Sequence, residues 1–377
     1  MKILHLIPAL AVGGAEIVLK QLLLHPKSEL HESYVLCLGE PGEIGTQLEA
    51  GGVKVRALGV SLKNPTSLTR LLSLKAVVAD FGPDLIQTWM YHANLLAALF
   101  ITGSKRPPVV WALHQDITDR SWIKPSTWEV IRLGARFSKS YPARIVSVSE
   151  RAVESHAEIG YQRDKFTVIP NGFHIPDLDQ SGRPKLALTT ELGLSGGSQL
   201  VGFFARFHPM KDHANFLAAA EIVHTHLPAV HFVLAGRQVD WDNPALVSEV
   251  KARNLNGVVH LLGQRNDVSR LLPSLDLYTI SSRSEGFPLS VGEAMAACVP
   301  CVVTDVGDAA KLVGEIGLVV PPKDPTALAD AWMRILRMSA AERNALGLRA
   351  RGRIVSQFSL DKMAETYNQI YNQVTGG

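Results

Sequence analysis

The chain has 377 residues, 46% of them hydrophobic and 19% charged, and a net charge of +3. That length suits two domains better than one core, and the near balance of charge excludes a global nucleic-acid surface, so no nucleic-acid partner is expected. Cys37, Cys298 and Cys301 all lie in apolar runs, too few for a disulfide scaffold and fitting a reducing compartment.

The run KILHLI at the N-terminus reads as a strand. With PALAV behind it the segment imitates a secretion signal, but His5 and Pro8 interrupt it and Glu16 follows within the helical pattern AEIVLKQLL. A strand, a glycine turn and a helix are therefore expected rather than a cleaved leader. Gly13 and Gly14 sit in that turn. Two glycines let the backbone approach a phosphate or sugar at a helix N-terminus; the ordinary alternative is a plain turn.

Further strands are expected at SYVLCL, VKVRAL, DLIQTW, PVVWALH, RIVSVS and FTVIP. His114 closes PVVWALH at a carboxyl end, where open α/β sheets bind ligands, although a lone histidine is more often structural. The longest other apolar run, Ala93 to Thr102, contains Asn94 and is too short to span a bilayer. The protein is expected in the cytoplasm. Between Arg120 and Arg144 six basic residues stand against Glu129 alone, with Trp122, Trp128, Phe137 and Tyr141 interleaved. Such a segment suits a reversible contact with the inner face of the cytoplasmic membrane, worth ~2–3 kcal/mol. A solvated helix with its aromatics in the core is the alternative.

PDLDQSGRPK, Pro176 to Lys185, is polar and rich in breakers and reads as a linker. The expected domains are 1–178 and 179–358, with 359–377 a capped helix (LDKMAETYNQIYNQV) returning to the first domain. The second half repeats the strand rhythm at LVGFFAR, HFVLAG, VVHLLG, DLYTIS, PCVVTD and GLVVP. Strands alternating with helical patterns predict an α/β fold of two parallel, Rossmann-like sheets. GxGxxG is missing from every strand–helix junction, which counts against a nicotinamide or flavin enzyme.

The second half also carries the densest chemistry. Arg206 and Lys211 follow LVGFFA and can hold a diphosphate, one as a fork and one as a point charge, unless they are a plain surface pair. Glu285 lies in the loop after DLYTIS, and Glu293 falls early in the helical pattern from Leu289. A loop at a strand's carboxyl end favours a phosphate on its free N–H groups, and carboxylates accept from sugar hydroxyls. Asp177/Asp179 and Asp240/Asp242 invite a Mg²⁺ reading but sit in loops whose charges are usually solvated, so no metal is expected. Cys298-x-x-Cys301 reads as core packing rather than a redox or zinc site.

The order GGAE, His114, VSVSE, IPNG (Ile169 to Gly172), ARFHPMK, the Glu285-to-Glu293 pair in SSRSEGFPLSVGEAMA, and VVTDVG resembles glycosyltransferase family 4, whose members are retaining enzymes of GT-B architecture. The resemblance runs nearly end to end and is strongest from Val201 to Pro322. It implies two Rossmann-like domains facing across a cleft, the first for the acceptor and the second for a nucleotide sugar such as a UDP- or GDP-sugar. By the same resemblance, His114 and Glu285 would meet the donor sugar, and Arg206 and Lys211 the diphosphate, aided by Gly13, Gly14 and the backbone of Phe287, Pro288, Leu289 and Ser290. Glu293 would accept from the ribose, and Arg237 with Leu262 to Arg265 would flank the base. One departure stands out: Gly307-Asp308-Ala309-Ala310-Lys311 replaces the family's Gly-Gly-x-x-Glu run and points to the bacterial surface-polysaccharide type.

The expectation is hexosyl transfer with retained configuration onto a glycan or lipid-linked glycan. A double-displacement glycosidase needs a second carboxylate across the anomeric carbon, and none can be assigned. A GT-B epimerase or phosphorylase and a two-lobed sugar-binding protein remain as alternatives. The identity of the donor, the acceptor and the oligomeric state are not written in the sequence.

Overall fold

The computed structural model describes residues 1–28, 31–60, 65–177, 183–195 and 197–376. The chain forms two compact units, Met1–Gly172 with Leu360–Gly377, and Phe173–Ser359. Of the expected linker, residues 178–182, Asp179 among them, lie outside the described residues. From Arg183 onward that stretch is not linker but the start of a helix, Arg183–Glu191.

The first unit is built on β1 (Lys2–Ile7), β2 (Glu32–Cys37), β3 (Lys54–Ala57), β4 (Leu85–Trp89), β5 (Val109–Leu113), β6 (Arg144–Ser147) and β7 (Phe166–Val168). They form one parallel sheet in the order β3-β2-β1-β4-β5-β6-β7. A parallel strand covered on both faces reads as an unbroken apolar run. β4 (LIQTW) and β5 (VVWAL) are buried at every position, whereas the edge strand β3 (KVRA) has no buried residue. Gln87 and Thr88 are tolerated inside because Thr88 bonds Asn94 and Gln87 bonds a carbonyl.

The helix Leu360–Thr375 completes this unit after the chain has built the other one. Its buried residues, Met363, Ala364, Tyr367, Ile370 and Tyr371, make one helical stripe. Tyr367 stacks on Trp89 at 6.1 Å between centroids, and Asn368 Oδ1 accepts from His31 Nε2 at 2.9 Å. Lys27 pairs with Asp361 at 3.1 Å and with Glu365. The closing segment does return to the first unit, as the sequence suggested.

The second unit carries β8 (Gln199–Phe204), β9 (Val230–Ala235), β10 (Val259–Leu261), β11 (Leu277–Ile280), β12 (Cys301–Thr304) and β13 (Leu318–Val320). They too are parallel, in the order β10-β9-β8-β11-β12-β13. Trp332, on the helix Pro325–Leu336, packs between Phe216 and Phe232 and donates its indole N–H to Thr279 at 3.0 Å. All thirteen apolar runs read from the sequence are strands. In both sheets the order reverses once, between β1 and β4 and between β8 and β11. Such a reversal opens a crevice outside the carboxyl ends of the two central strands. No helix among the described residues is long and apolar enough to cross a membrane.

Candidate active site

The reversal point of the second sheet collects the charged residues. β8 leads into a loop bearing Arg206 and Lys211, and β11 into the loop Ser281–Pro288 bearing Glu285. These strands are neighbours, so their loops meet. Lys211 Nζ donates to Glu285 Oε1 at 2.6 Å, and Ser282 Oγ donates to the same oxygen at 2.6 Å. Both members of the ion pair are mostly covered, at 21% and 11% side-chain exposure, so solvent screens the pair only partly. Arg206 is exposed and has no hydrogen-bond or ion-pair partner among the described residues. One cation held and one free beside it is the arrangement that can accept a diphosphate.

Glycines hold the two loops from behind. Gly236 follows β9, and a Cβ there would overlap the carbonyl of Ala205, next to Arg206. Gly307 has φ +53°, and a Cβ there would overlap the carbonyl oxygens of Glu285 and Gly286. Asp308 N–H donates to Gly286 O at 3.0 Å. The Gly-Asp departure therefore braces the Glu285 loop from the β12 side.

Glu293 lies on the helix Leu289–Ala296, half-buried, and burial pushes its carboxyl up to about 7. The helix start at Pro288, Leu289 and Ser290 faces the same carboxyl end of the sheet. Ser290 shares a hydrogen bond with Tyr278, whose hydroxyl also donates to Phe204 O at 3.2 Å. Phe287 is a core residue, packed between Phe173 at 6.1 Å and Phe358 at 5.5 Å. Arg237 is exposed and Leu262 half-buried at the ends of β9 and β10. Arg265, expected to flank the base, is held within its own surroundings. Its fork is already engaged by Asp267 at 2.8 and 2.9 Å and by Glu191 at 2.7 Å.

The reversal point of the first sheet has a different character. Gly13 precedes and Gly14 opens the helix Gly14–Leu23 after β1. His114, just past β5, is half-buried, stacks on Trp89 at 5.2 Å, and leaves its buried Nε2 without a hydrogen-bond partner among the described residues. Burial pulls its imidazole down to about 4, so it is neutral at physiological pH. Trp89 in turn donates to His5 Nδ1 at 3.3 Å. Between these loops, directly after β4, Met90 has φ +68°. An unbranched but non-glycine residue in the left-handed region marks a strained strand-to-helix turn. Sequence reading missed it, because nothing about a methionine announces that conformation.

Other polar and sulfur-bearing side chains of the second unit have contacts of their own. His208 Nδ1 accepts from Met210 N–H, and His213 packs between Phe203 at 4.9 Å and Phe207 at 5.2 Å. Asp240 accepts from the N–H of Asp242 in an ordinary turn. Cys301 is buried, and Cys298 takes a left-handed turn at φ +61°. No three His, Cys, Asp or Glu side chains among the described residues are grouped to hold a metal.

Two family models match the chain in order: Glycosyltransferase Family 4 over residues 12–175, and Glycosyl transferases group 1 over residues 198–338. A lipopolysaccharide core biosynthesis mannosyltransferase of Rhizobium leguminosarum bv. viciae is 33% identical over 86% of this chain and 89% of its own. The N-acetyl-alpha-D-glucosaminyl L-malate synthase of Bacillus anthracis is 28% identical over 97% of this chain and 95% of its own. Among solved structures, the Anabaena protein HepE in complex with UDP superposes with a TM-score of 0.84 over 99% of this chain and all of its own, at 22% identity. That likeness shows the fold, which is GT-B. The models together cover β2 to β7 of the first sheet and all of the second, and the Rhizobium relative aligns over most of the chain. The chain is a hexosyltransferase and belongs to glycosyltransferase family 4.

Proposed function

We propose that the chain transfers a hexosyl unit, with retention, from a nucleoside-diphosphate sugar to a hydroxyl of a glycan or lipid-linked glycan. The second unit would bind the donor and the first the acceptor. The observation that carries this is the group at the β8–β11 reversal: exposed Arg206 beside the Lys211–Glu285–Ser282 network. Arg206 and Lys211 stabilise the diphosphate as the glycosidic bond breaks, and its departing oxygen takes the proton of the incoming acceptor hydroxyl on the same face. Glu285 orients the donor sugar, and Glu293 accepts from the ribose hydroxyls. The UDP held by the Anabaena neighbour and the lipopolysaccharide core biosynthesis in the Rhizobium relative's name support the two substrate classes. The test is a thermal-shift panel of UDP-, GDP- and ADP-sugars, followed by linkage and anomer analysis of the product. An inverted product, or a sugar released without transfer, would overturn the reading.

One observation favours a second acceptor class. The Bacillus relative is named for a small hydroxy acid, L-malate. Malate and glycan acceptors belong side by side in the same assay, and a malate glycoside as the sole product would decide for it.

A contact with the inner face of the membrane through residues 120–144 is part of the proposal. The helix Pro125–Ser138 borders a groove of about 570 Å³ lined by Arg120, Trp128, Arg132, Arg136 and Lys139, with the Arg120 guanidinium 4.2 Å above the Trp128 ring. Tyr141 is not available to such a surface. It is buried and its hydroxyl donates to the carbonyls of Ala97 and Ile101. Liposomes with anionic lipid should bind the protein at low salt and release it at high salt. Equal binding to neutral liposomes would sink the electrostatic contact.

A further inference from the structure

Lys211 owes its place to its neighbour in sequence. Asp212 is 4% exposed and sits at φ +52°, ψ 57°, a left-handed conformation that aspartate tolerates better than most residues. Its carboxylate is gripped from the facing loop. Arg283 Nε donates to Oδ2 at 2.6 Å and Nη2 to Oδ1 at 2.9 Å, a two-pronged pairing. The backbones are tied as well. Arg283 N–H donates to Met210 O at 2.8 Å, and Ser281 Oγ bonds the carbonyls of Lys211 and Asp212 at 2.9 and 3.0 Å.

From these contacts we infer that Asp212 and Arg283 are positioning residues. They clasp the loop that carries Lys211 to the loop that carries Glu285, and so set where the Lys211 ammonium meets the donor diphosphate. The Nε–Nη2 edge of the Arg283 fork is turned to Asp212. The inference rests on the diphosphate role of Lys211 and adds to it the device that fixes its register.

Three features exceed what loop stability requires. The pairing is bidentate, which specifies orientation as well as distance. The left-handed turn falls between Lys211 and the helix His213–His226, so the ammonium's approach depends on a conformation that the clasp enforces. A third strand also takes part, since Thr304 on β12 donates to Ser282 O at 2.8 Å, adjacent to Arg283. Loosening the clasp would let Lys211 shift while Glu285 stays held by Ser282.

The test uses the full-length protein in steady-state transfer with the UDP-, GDP- or ADP-sugar that it turns over. Arg283→Lys keeps the charge and loses the fork. Asp212→Asn keeps a residue that accepts the left-handed turn and the cap to Asn215, and loses the charge. Each should lower kcat by about 10²-fold with a smaller change in donor KM, since displacing a transition-state group by ~1 Å costs that much. In a Lys211→Ala background the same substitutions should add less than about threefold, because the residue they place is gone. Losses that multiply fully on Lys211→Ala would show a general structural role and overturn the clasp, as would full activity of both single variants. Should Arg283→Lys fail to fold, Asp212→Asn and Ser281→Ala still decide. If Lys211→Ala alone turns over normally, it is the diphosphate reading that has failed, and the clasp falls with it.

Discussion

The two sheets share a strand order and a reversal point, yet the two points carry opposite kinds of chemistry. In the first unit the carboxyl ends of β1, β4 and β5 present glycines, a strained methionine and a neutral histidine on a tryptophan. In the second, β8 and β11 present an ion pair, a free arginine and a half-buried carboxylate. The same topology supplies a crevice in both places. What differs is how order is kept. The first site relies on aromatic packing that reaches the C-terminal helix through Tyr367, and the second on charge-assisted hydrogen bonds between adjacent loops.

The contrast predicts that the first site breaks through loss of stability. Trp89 is fully buried, stacks on both His114 and Tyr367, and donates to His5. Trp89→Ala should cost the first unit roughly 3–5 kcal/mol, read as a lower unfolding midpoint by calorimetry. A loss below about 1 kcal/mol would mean that the stack does not hold the site together.

The second site should break through chemistry instead. Arg206 is exposed and has no hydrogen-bond or ion-pair partner among the described residues, so Arg206→Ala should leave the unfolding midpoint unchanged. Its absence from the transition state should lower kcat by ~10²–10³, about 2.7–4 kcal/mol. Near-normal turnover would remove Arg206 from the diphosphate site.

How much of this could be read from the sequence follows from the same contrast. Strands such as VVWAL are legible because both faces are buried, leaving one continuous apolar run. Their order is not, since crossovers and not side chains set it. Lys211 and Glu285 are legible as charged residues just beyond strand ends. Asp212 and Arg283 are not, because 71 residues separate the partners and nothing local marks their pairing. Asp212 does stand before the apolar pattern of its helix as an N-cap, a signal that a closer reading could have used. The partners of Arg265 and Phe287 are equally hidden from the sequence: Asp267 and Glu191 hold the guanidinium of one, and Phe173 and Phe358 enclose the ring of the other.

The smallest expected effect separates the two sites by pH. His114 is pulled down to about 4 and His5 to about 3, so neither titrates between pH 5 and 8. Glu293 is pushed from 4.5 up to about 7 and does titrate there. A raised carboxyl means that the folded protein favours the protonated form. Its stabilising share is therefore complete below about pH 4.5 and is lost as pH rises through 7. Glu293→Gln, which stays neutral, should match the parent near pH 4.5 and exceed it above pH 7 by roughly 2–3 kcal/mol without donor. Ribose hydroxyls favour the ionised carboxylate, so donor binding should pull the other way. Donor KM should fall between pH 6 and 8 in the parent, stay flat in Glu293→Gln, and keep its inflection in His114→Gln. An inflection that survives in Glu293→Gln and vanishes in His114→Gln would place the titrating group in the first unit and reverse the division of labour.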